Sequence, residues 1–389
     1  MGTYKKMFSV LMFGLYSISC SGQPGSDPPS SEPANPDGQN IQTIDDEIRG
    51  FMGRYDVPGL SLAITKDGNL VYAKGYGWAD KEMAVKVDTS STFRIASLSK
   101  FITSIGIMTL QEKGALSLGD KVFGQGAILG TNYGTPPYSE YVRDITIRDL
   151  LQHQLGGWAN SSDDSDPAFE RADLMTVGEL ISWTLDNRPL ENPPGTVFDY
   201  SNLGYQILGL VIEKLSSHTY AQFIQKNVLT AAGITNMHIA GGGRAKNEVR
   251  YYGQDGREPF SYGSGVLSRL NSAGGWIASA IDLMRIMVRS DGFNTVPDML
   301  DPSTIEMMTT PSDSSNYTFG LYVNSLDNWW HSGSLTGTET WIVRAHQGFN
   351  WVILMNTKSY DGNFISDLDG LIWPAVYNAD THWPEIDLF

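Results

Sequence analysis

Residues 93–114 read FRIASLSKFITSIGIMTLQEKG and place Ser97 three positions before Lys100, at the head of an apolar run. If a helix begins near Ser97, positions i and i+3 share a face, and the ammonium comes within reach of the hydroxyl. Phe101, Ile102, Ile105, Ile107, Met108 and Leu110 make the run apolar nearly all round, which predicts a buried helix. A lysine among such side chains can lose its proton near neutrality, and serine, a poor nucleophile at its own pKa, thereby gains a base. The helix amino terminus also favours negative charge developing there. The plain alternative is a helix cap beside a solvated lysine. Against it, this is the one Ser-x-x-Lys in the sequence, and its lysine opens an apolar helix.

Outward from this stretch, Ile41, Ile44, Ile48, Phe51 and Met52 recur at helical spacing and predict an amphipathic helix closing near Gly53. In GLSLAITKDGNLVYAKGYG two strand-like runs flank Asp67-Gly68, a dipeptide suited to a tight hairpin. TETWIVRAHQGFNWVILMNT repeats the pattern near the other end, around Gln347-Gly348. Residues 100–113, 146–153, 175–186 and 203–216 read as helices between Gly-, Pro- and Asp-rich loops. Strands at both ends with helices between predict a sheet assembled from the two termini, carrying a helical insertion.

The 389 residues, 41% hydrophobic, suffice for one large core or two fused lobes. A net charge of -16 opposes binding to phosphate backbones, so nucleic acid is not an expected partner. Residues 1–19 read as an export signal: Lys5 and Lys6 precede an apolar stretch, Met7 to Ile18, shorter than a bilayer span. Cys20, the single cysteine, follows as SISC, a departure from a bacterial lipobox because Ser17 stands where leucine is preferred. The expectation is a lipidated cysteine and a membrane-anchored periplasmic or cell-surface protein, with simple secretion as the alternative. Residues 20–40, rich in Pro, Gly and Ser, read as a linker, and 41–389 as the folded domain.

FRIASLSK resembles the nucleophile motif of the serine β-lactamases and penicillin-binding proteins, especially the branch related to class C enzymes, with its esterases and D-aminopeptidases. The resemblance implies Ser97 as nucleophile, Lys100 as its base and a Tyr-x-Asn element. YSN at Tyr200 to Asn202 lies in a loop entering a helix, as the family places it; YVN at Tyr322 to Asn324 reads as strand, and its match as accidental. Tyr200 is then the expected proton shuttle, working as a phenolate made accessible by two cationic neighbours, and Asn202 orients substrate and Lys100. The family's Lys-Thr-Gly is absent. KDG at Lys66 and HQG at His346 lie at turns, which leaves WWHSGSLTGTETW, whose His331-Ser332-Gly333 resembles a His-x-Gly variant. Gly333 would allow close approach, and the amides of Ser334 and Ser97 would form an oxyanion hole.

ITIRDLLQHQLGG and SAGGWIASAIDLMRIM also resemble family segments, the first departing at Gln154-Leu155; His153 reads as packing or helix-end chemistry. The implied fold is α+β, an antiparallel sheet flanked by helices plus a mostly helical lobe, with the site between them. The implied chemistry is serine acyl transfer without cofactor, and the six histidines show no zinc-helix spacing. Without a lysine in the third element, and with His331 cationic only when its pKa permits, ester or D-amino-acid peptide and amide substrates are expected. A true β-lactamase or D,D-carboxypeptidase is the alternative enzyme; an inactive relative that binds cell-wall peptides is the alternative of another class.

Overall fold

The computed structural model describes residues 40–159, 166–169 and 175–389; the stretch expected to be an export signal, Cys20 and nearly all of the expected linker lie outside them. Helix α1, Gln42–Arg54, turns Ile44, Ile48 and Phe51 inward. Two strands follow, β1 Gly59–Lys66 and β2 Asn69–Asp80. The turn between them holds Asp67 at φ 50° and Gly68 at φ 82°, the left-handed pair that a two-residue hairpin requires. Short strands β3, Val85–Lys86, and β4, Phe93–Arg94, lead to the 3-10 turn Ala96–Leu98 and helix α2, Ser99–Glu112. The predicted helices of the insertion are present at Ile147–Leu151, Val177–Asn187 and Asn202–Ser216. Strands β5, His238–Ile239, and β6, Trp276–Ala278, join β4 in a small sheet of order β4-β6-β5.

The main sheet is completed by β7 Tyr322–Val323, β8 Trp329–Leu335, β9 Thr338–Ala345 and β10 Phe349–Met355, in the order β3-β2-β1-β10-β9-β8-β7. Every pairing is antiparallel, and β1 meets β10 at Leu60↔Met355, so the two ends of the chain form the sheet's centre as the patterning predicts. Alternate residues feed two cores. Leu60, Leu62, Ile64, Trp351 and Ile353 pack with α1 and the helix Phe364–Gly370. Ala63, Ile342, Val352 and Leu354 pack toward α2 and the helical lobe. With both faces covered, β1, β9 and β10 are buried almost throughout, polar residues such as Glu339, Thr340, Arg344 and Asn350 included.

A polar cluster ties α1 to the sheet. Asp45, 2% exposed, accepts hydrogen bonds from Tyr72 Oη and Tyr76 Oη, each at 2.7 Å, and from Lys74 Nζ at 2.8 Å. Among the described residues no helix is long and apolar enough to cross a membrane.

Candidate active site

Ser97 sits in the 3-10 turn that runs into α2, just after Ala96, whose φ of 47° is a left-handed conformation costly for a residue with a side chain. This sharp corner is held from the sheet side. Thr340 Oγ1 on β9 donates toward Ile95 O and Gly333 O, both at 3.1 Å. A Cβ on Gly333 would lie 2.3 Å from Ile95 O and from Thr340 Oγ1, and 3.2 Å from Ser97 N. Position 333 is therefore glycine because β8 passes directly against the backbone that carries the nucleophile.

Lys100, one turn on, is fully buried. Its Nζ donates to Asn202 Oδ1 and to Ala273 O, each at 2.7 Å, and lies 3.1 Å from Ser97 Oγ. The first two partners are acceptors only and claim two N–H bonds, which aims the third valence at Ser97. Burial pushes the ammonium down to about 7, partly offset by the nearby charge of Asp166. In its neutral form that third valence is a lone pair directed at the serine hydroxyl.

Asn202 and Tyr200 are delivered by the start of the helix Asn202–Ser216. Ser201 is its N-cap, accepting from Gly204 N at 3.1 Å and donating to Trp158 O at 2.7 Å. His153 clamps the same segment: its Nδ1 accepts from Ser201 N at 3.1 Å, its carbonyl accepts from Asp199 N at 2.7 Å, and its ring packs 4.2 Å from that of Tyr200. The reading of His153 as a packing residue agrees with this placement. Gln154, where the resembling segment departs, donates to Ser312 Oγ and Ser314 Oγ and ties this loop to a distant one.

Burial raises the pKa of the Tyr200 hydroxyl well above that of a free phenol; the neighbouring Ser97 hydroxyl opposes the rise, and Tyr205, Tyr322 and Asp166 add to it. The expectation of a phenolate between two cations is corrected here. The lysine is poised to be neutral, and His331 carries no charge. His331 is 2% exposed, and burial, helped by Lys100, lowers it to about 3. Its Nδ1 lies 2.5 Å from Ser332 O, a group that only accepts, so Nδ1 carries the proton and Nε2 accepts from Tyr317 Oη at 3.3 Å.

Ser97, Tyr200, Asn202, His331 and Ser334 line one cavity of about 220 Å³. Three further residues bear on the site that the motifs do not reveal, two of them from behind its lining side chains and one, Tyr322, from the cavity wall. Asp166, 6% exposed, accepts from Asn202 Nδ2 at 2.5 Å and so fixes the amide with its oxygen toward Lys100. Tyr317 supports His331 from behind. Tyr322, read from sequence as an accidental match, does lie on a strand, but its side chain lines the cavity and packs 5.8 Å from the His331 ring. No group of three His, Cys, Asp or Glu side chains able to hold a metal occurs among the described residues.

The model of the family described as Beta-lactamase matches residues 44–370, and the chain belongs to that family. Its relatives include the putative penicillin-binding protein PbpX of Bacillus subtilis, 27% identical over 73% of this chain and 67% of that protein. The chain spans about two thirds or less of the curated relatives it matches. In fold it is similar to the D-amino acid amidase of Ochrobactrum anthropi SV3, with a TM-score of 0.68 at 20% identity over 85% of this chain and 97% of that one. It is similar also to EstCE1, a hydrolase with promiscuous acyltransferase activity, with a TM-score of 0.69 at 18% identity over 86% and 99%. These structural likenesses establish the β-lactamase/transpeptidase-like fold, and the family that of a serine hydrolase.

Proposed function

We propose that the protein hydrolyses ester or D-amino-acid-containing peptide and amide substrates through an acyl-enzyme on Ser97. The observation that carries this reading is the buried Lys100, held by two acceptors with its remaining valence on Ser97 Oγ. In the first step Ser97 Oγ attacks the carbonyl carbon while its proton passes to the Lys100 nitrogen. The carbonyl oxygen takes the negative charge and is met by the amides of Ser97 and Ser334. As the bond to the leaving group breaks, the Tyr200 hydroxyl gives its proton to the departing oxygen or nitrogen, and the proton held by Lys100 replaces it. Water then repeats the sequence on the acyl-serine and releases the acid.

In this scheme Tyr200 acts as a neutral phenol that passes a proton on, in keeping with its raised pKa. Asn202 orients Lys100 and the substrate. His331 is a neutral hydrogen-bonding and packing wall, and Gly333 keeps β8 close enough for Ser334 to serve.

The likeness to an amidase and to an acyl-transferring hydrolase supports the substrate classes named. The test is a screen of p-nitrophenyl esters, D-amino amides and nitrocefin, with intact mass and peptide mapping after a fluorophosphonate. One adduct, at Ser97, and turnover of an ester or D-amino amide are expected. Faster turnover of nitrocefin would favour the β-lactamase alternative, and an adduct elsewhere would remove Ser97 from the mechanism. We further propose that Cys20 carries a lipid anchor after export. Cys20→Ser should then release the protein from membranes, and unchanged retention would refute the anchor.

A further inference from the structure

The helix Gly265–Gly274 borders the cavity with Leu270, Ala273 and Gly274, and its backbone breaks within that stretch. Asn271 has φ 34° and ψ -106°, a positive-φ conformation that suits glycine and strains a residue with a side chain. Such a backbone persists only where its surroundings hold it, and it is found where a site needs it. A second cost falls on the side chain, whose Oδ1 is buried and meets no donor among the described residues.

The contacts that hold the break lie on either side of it. Arg269 O accepts from Gln206 Nε2 at 2.8 Å, Ser272 O from Thr103 Oγ1 at 2.7 Å and Ala273 O from Lys100 Nζ at 2.7 Å. Ser272 Oγ donates to Tyr205 O at 2.8 Å. Gly275 closes the turn: its N donates to Asn271 O at 2.9 Å, and a Cβ there would lie 2.6 Å from Asn271 N. Thr103 and Lys100 are one turn apart on α2, so two successive carbonyls are given to the helix that carries the lysine. In an unbroken helix those carbonyls would run along the helix axis.

We propose that Asn271 is a positioning residue for the base: its backbone turn aims Ala273 O at Lys100 Nζ, and through that bond aims the lysine at Ser97. An ammonium deprived of one acceptor gives up its proton more readily, and an amine held by one partner instead of two swings away from the hydroxyl. The effect on acylation rests on Lys100 as the base of the proposed reaction; the effect on the lysine itself does not.

The test follows two readouts in Asn271→Gly, Asn271→Ala and Asn271→Val. One is the titration of the Lys100 ε-carbon by NMR in protein made with isotopically labelled lysine, the resonance being assigned by its loss in Lys100→Arg. The other is the pH dependence of fluorophosphonate labelling. Glycine, which takes this backbone freely, should leave both as in wild type. Valine, whose branched side chain cannot follow it, should lower the Lys100 midpoint by about one pH unit or more, the range of one hydrogen bond to a charged group. The labelling plateau should then fall about tenfold to a hundredfold while its acid limb moves to lower pH. Alanine should lie between, and it carries the test if the valine variant does not fold. The other groups facing the ammonium, Ser97, Asn202, Asp166, His153, His331, Tyr200 and Tyr205, are the same in every variant. A loss of stability with the midpoint and limb of wild type would overturn the positioning role, as would a glycine variant shifted as far as valine. If the resonance follows Asn271 but labelling shows no limb even in wild type, Lys100 is not the base and the role of Asn271 stands. If wild type shows the limb and neither readout responds to alanine or valine, the base stands and the role of Asn271 fails.

Discussion

The buried Lys100 predicts how the first covalent step responds to pH. Its ammonium is lowered to about 7 by burial, so about half the molecules carry the free amine at neutral pH and about 1% do two units lower. If that amine takes the Ser97 proton, acylation should fall roughly tenfold per pH unit below about 7, a loss of about a hundredfold by about pH 5. The limb should level off above about pH 8. The assay is the second-order rate of fluorophosphonate labelling followed by intact mass, which reports serine attack without later steps. The two histidines beside the nucleophile do not imitate the limb, because burial holds His331 near 3 and His153 well below its usual value. Glu339 does titrate in the same range, raised by burial to about 7, so the limb must persist in Glu339→Gln. Lys100→Arg, whose guanidinium keeps its proton, should lose about 10²- to 10⁴-fold and show no limb. A flat profile in wild type, or a limb abolished by Glu339→Gln, would refute the lysine as base.

Three further outcomes test the surroundings. Asp166→Asn keeps an acceptor for Asn202 Nδ2 but removes the charge that raises Lys100, so the acid limb should move to lower pH; an unmoved limb would show that Asp166 acts through packing alone. Gly333→Ala would force a methyl to within 2.3 Å of Ile95 O, and should destabilise the fold by about 1–3 kcal/mol and slow labelling of Ser97; wild-type Tm and rate would contradict the close approach. Asp45→Ala strands the nearly buried Lys74 and should lower stability in denaturant titrations by about 3–5 kcal/mol, and a change below about 1 kcal/mol would mean that the lysine finds solvent.

What was legible in the sequence was what is encoded locally. Asp67-Gly68 announces a turn because its backbone needs positive φ, and the spacing of Ile44, Ile48 and Phe51 announces the buried face of α1. Ser97 and Lys100 were legible for the same reason, one helical turn apart on an apolar run. Asp166 was not, since its meaning lies in the amide of Asn202, 36 positions away, and no spacing marks it. The protonation of Tyr200 was misread because a pattern counts nominal charges, whereas burial removes the charge of His331 and favours the neutral form of Lys100. Tyr322 was dismissed on its secondary structure, correctly assigned to a strand, but that strand borders the cavity.

The pairing of β1 with β10 also sets a schedule for folding. Leu60 cannot find Met355 until all the residues between them have been synthesised, and Leu388 N, further on, donates to Leu70 O at 3.0 Å. Half-made chains therefore hold β1 and β2 as a hairpin with an open apolar edge and no central partner, a state in which closing the long loop must precede the gain from pairing. The same pairing makes any truncation ahead of β10 a loss of the sheet's middle instead of its margin.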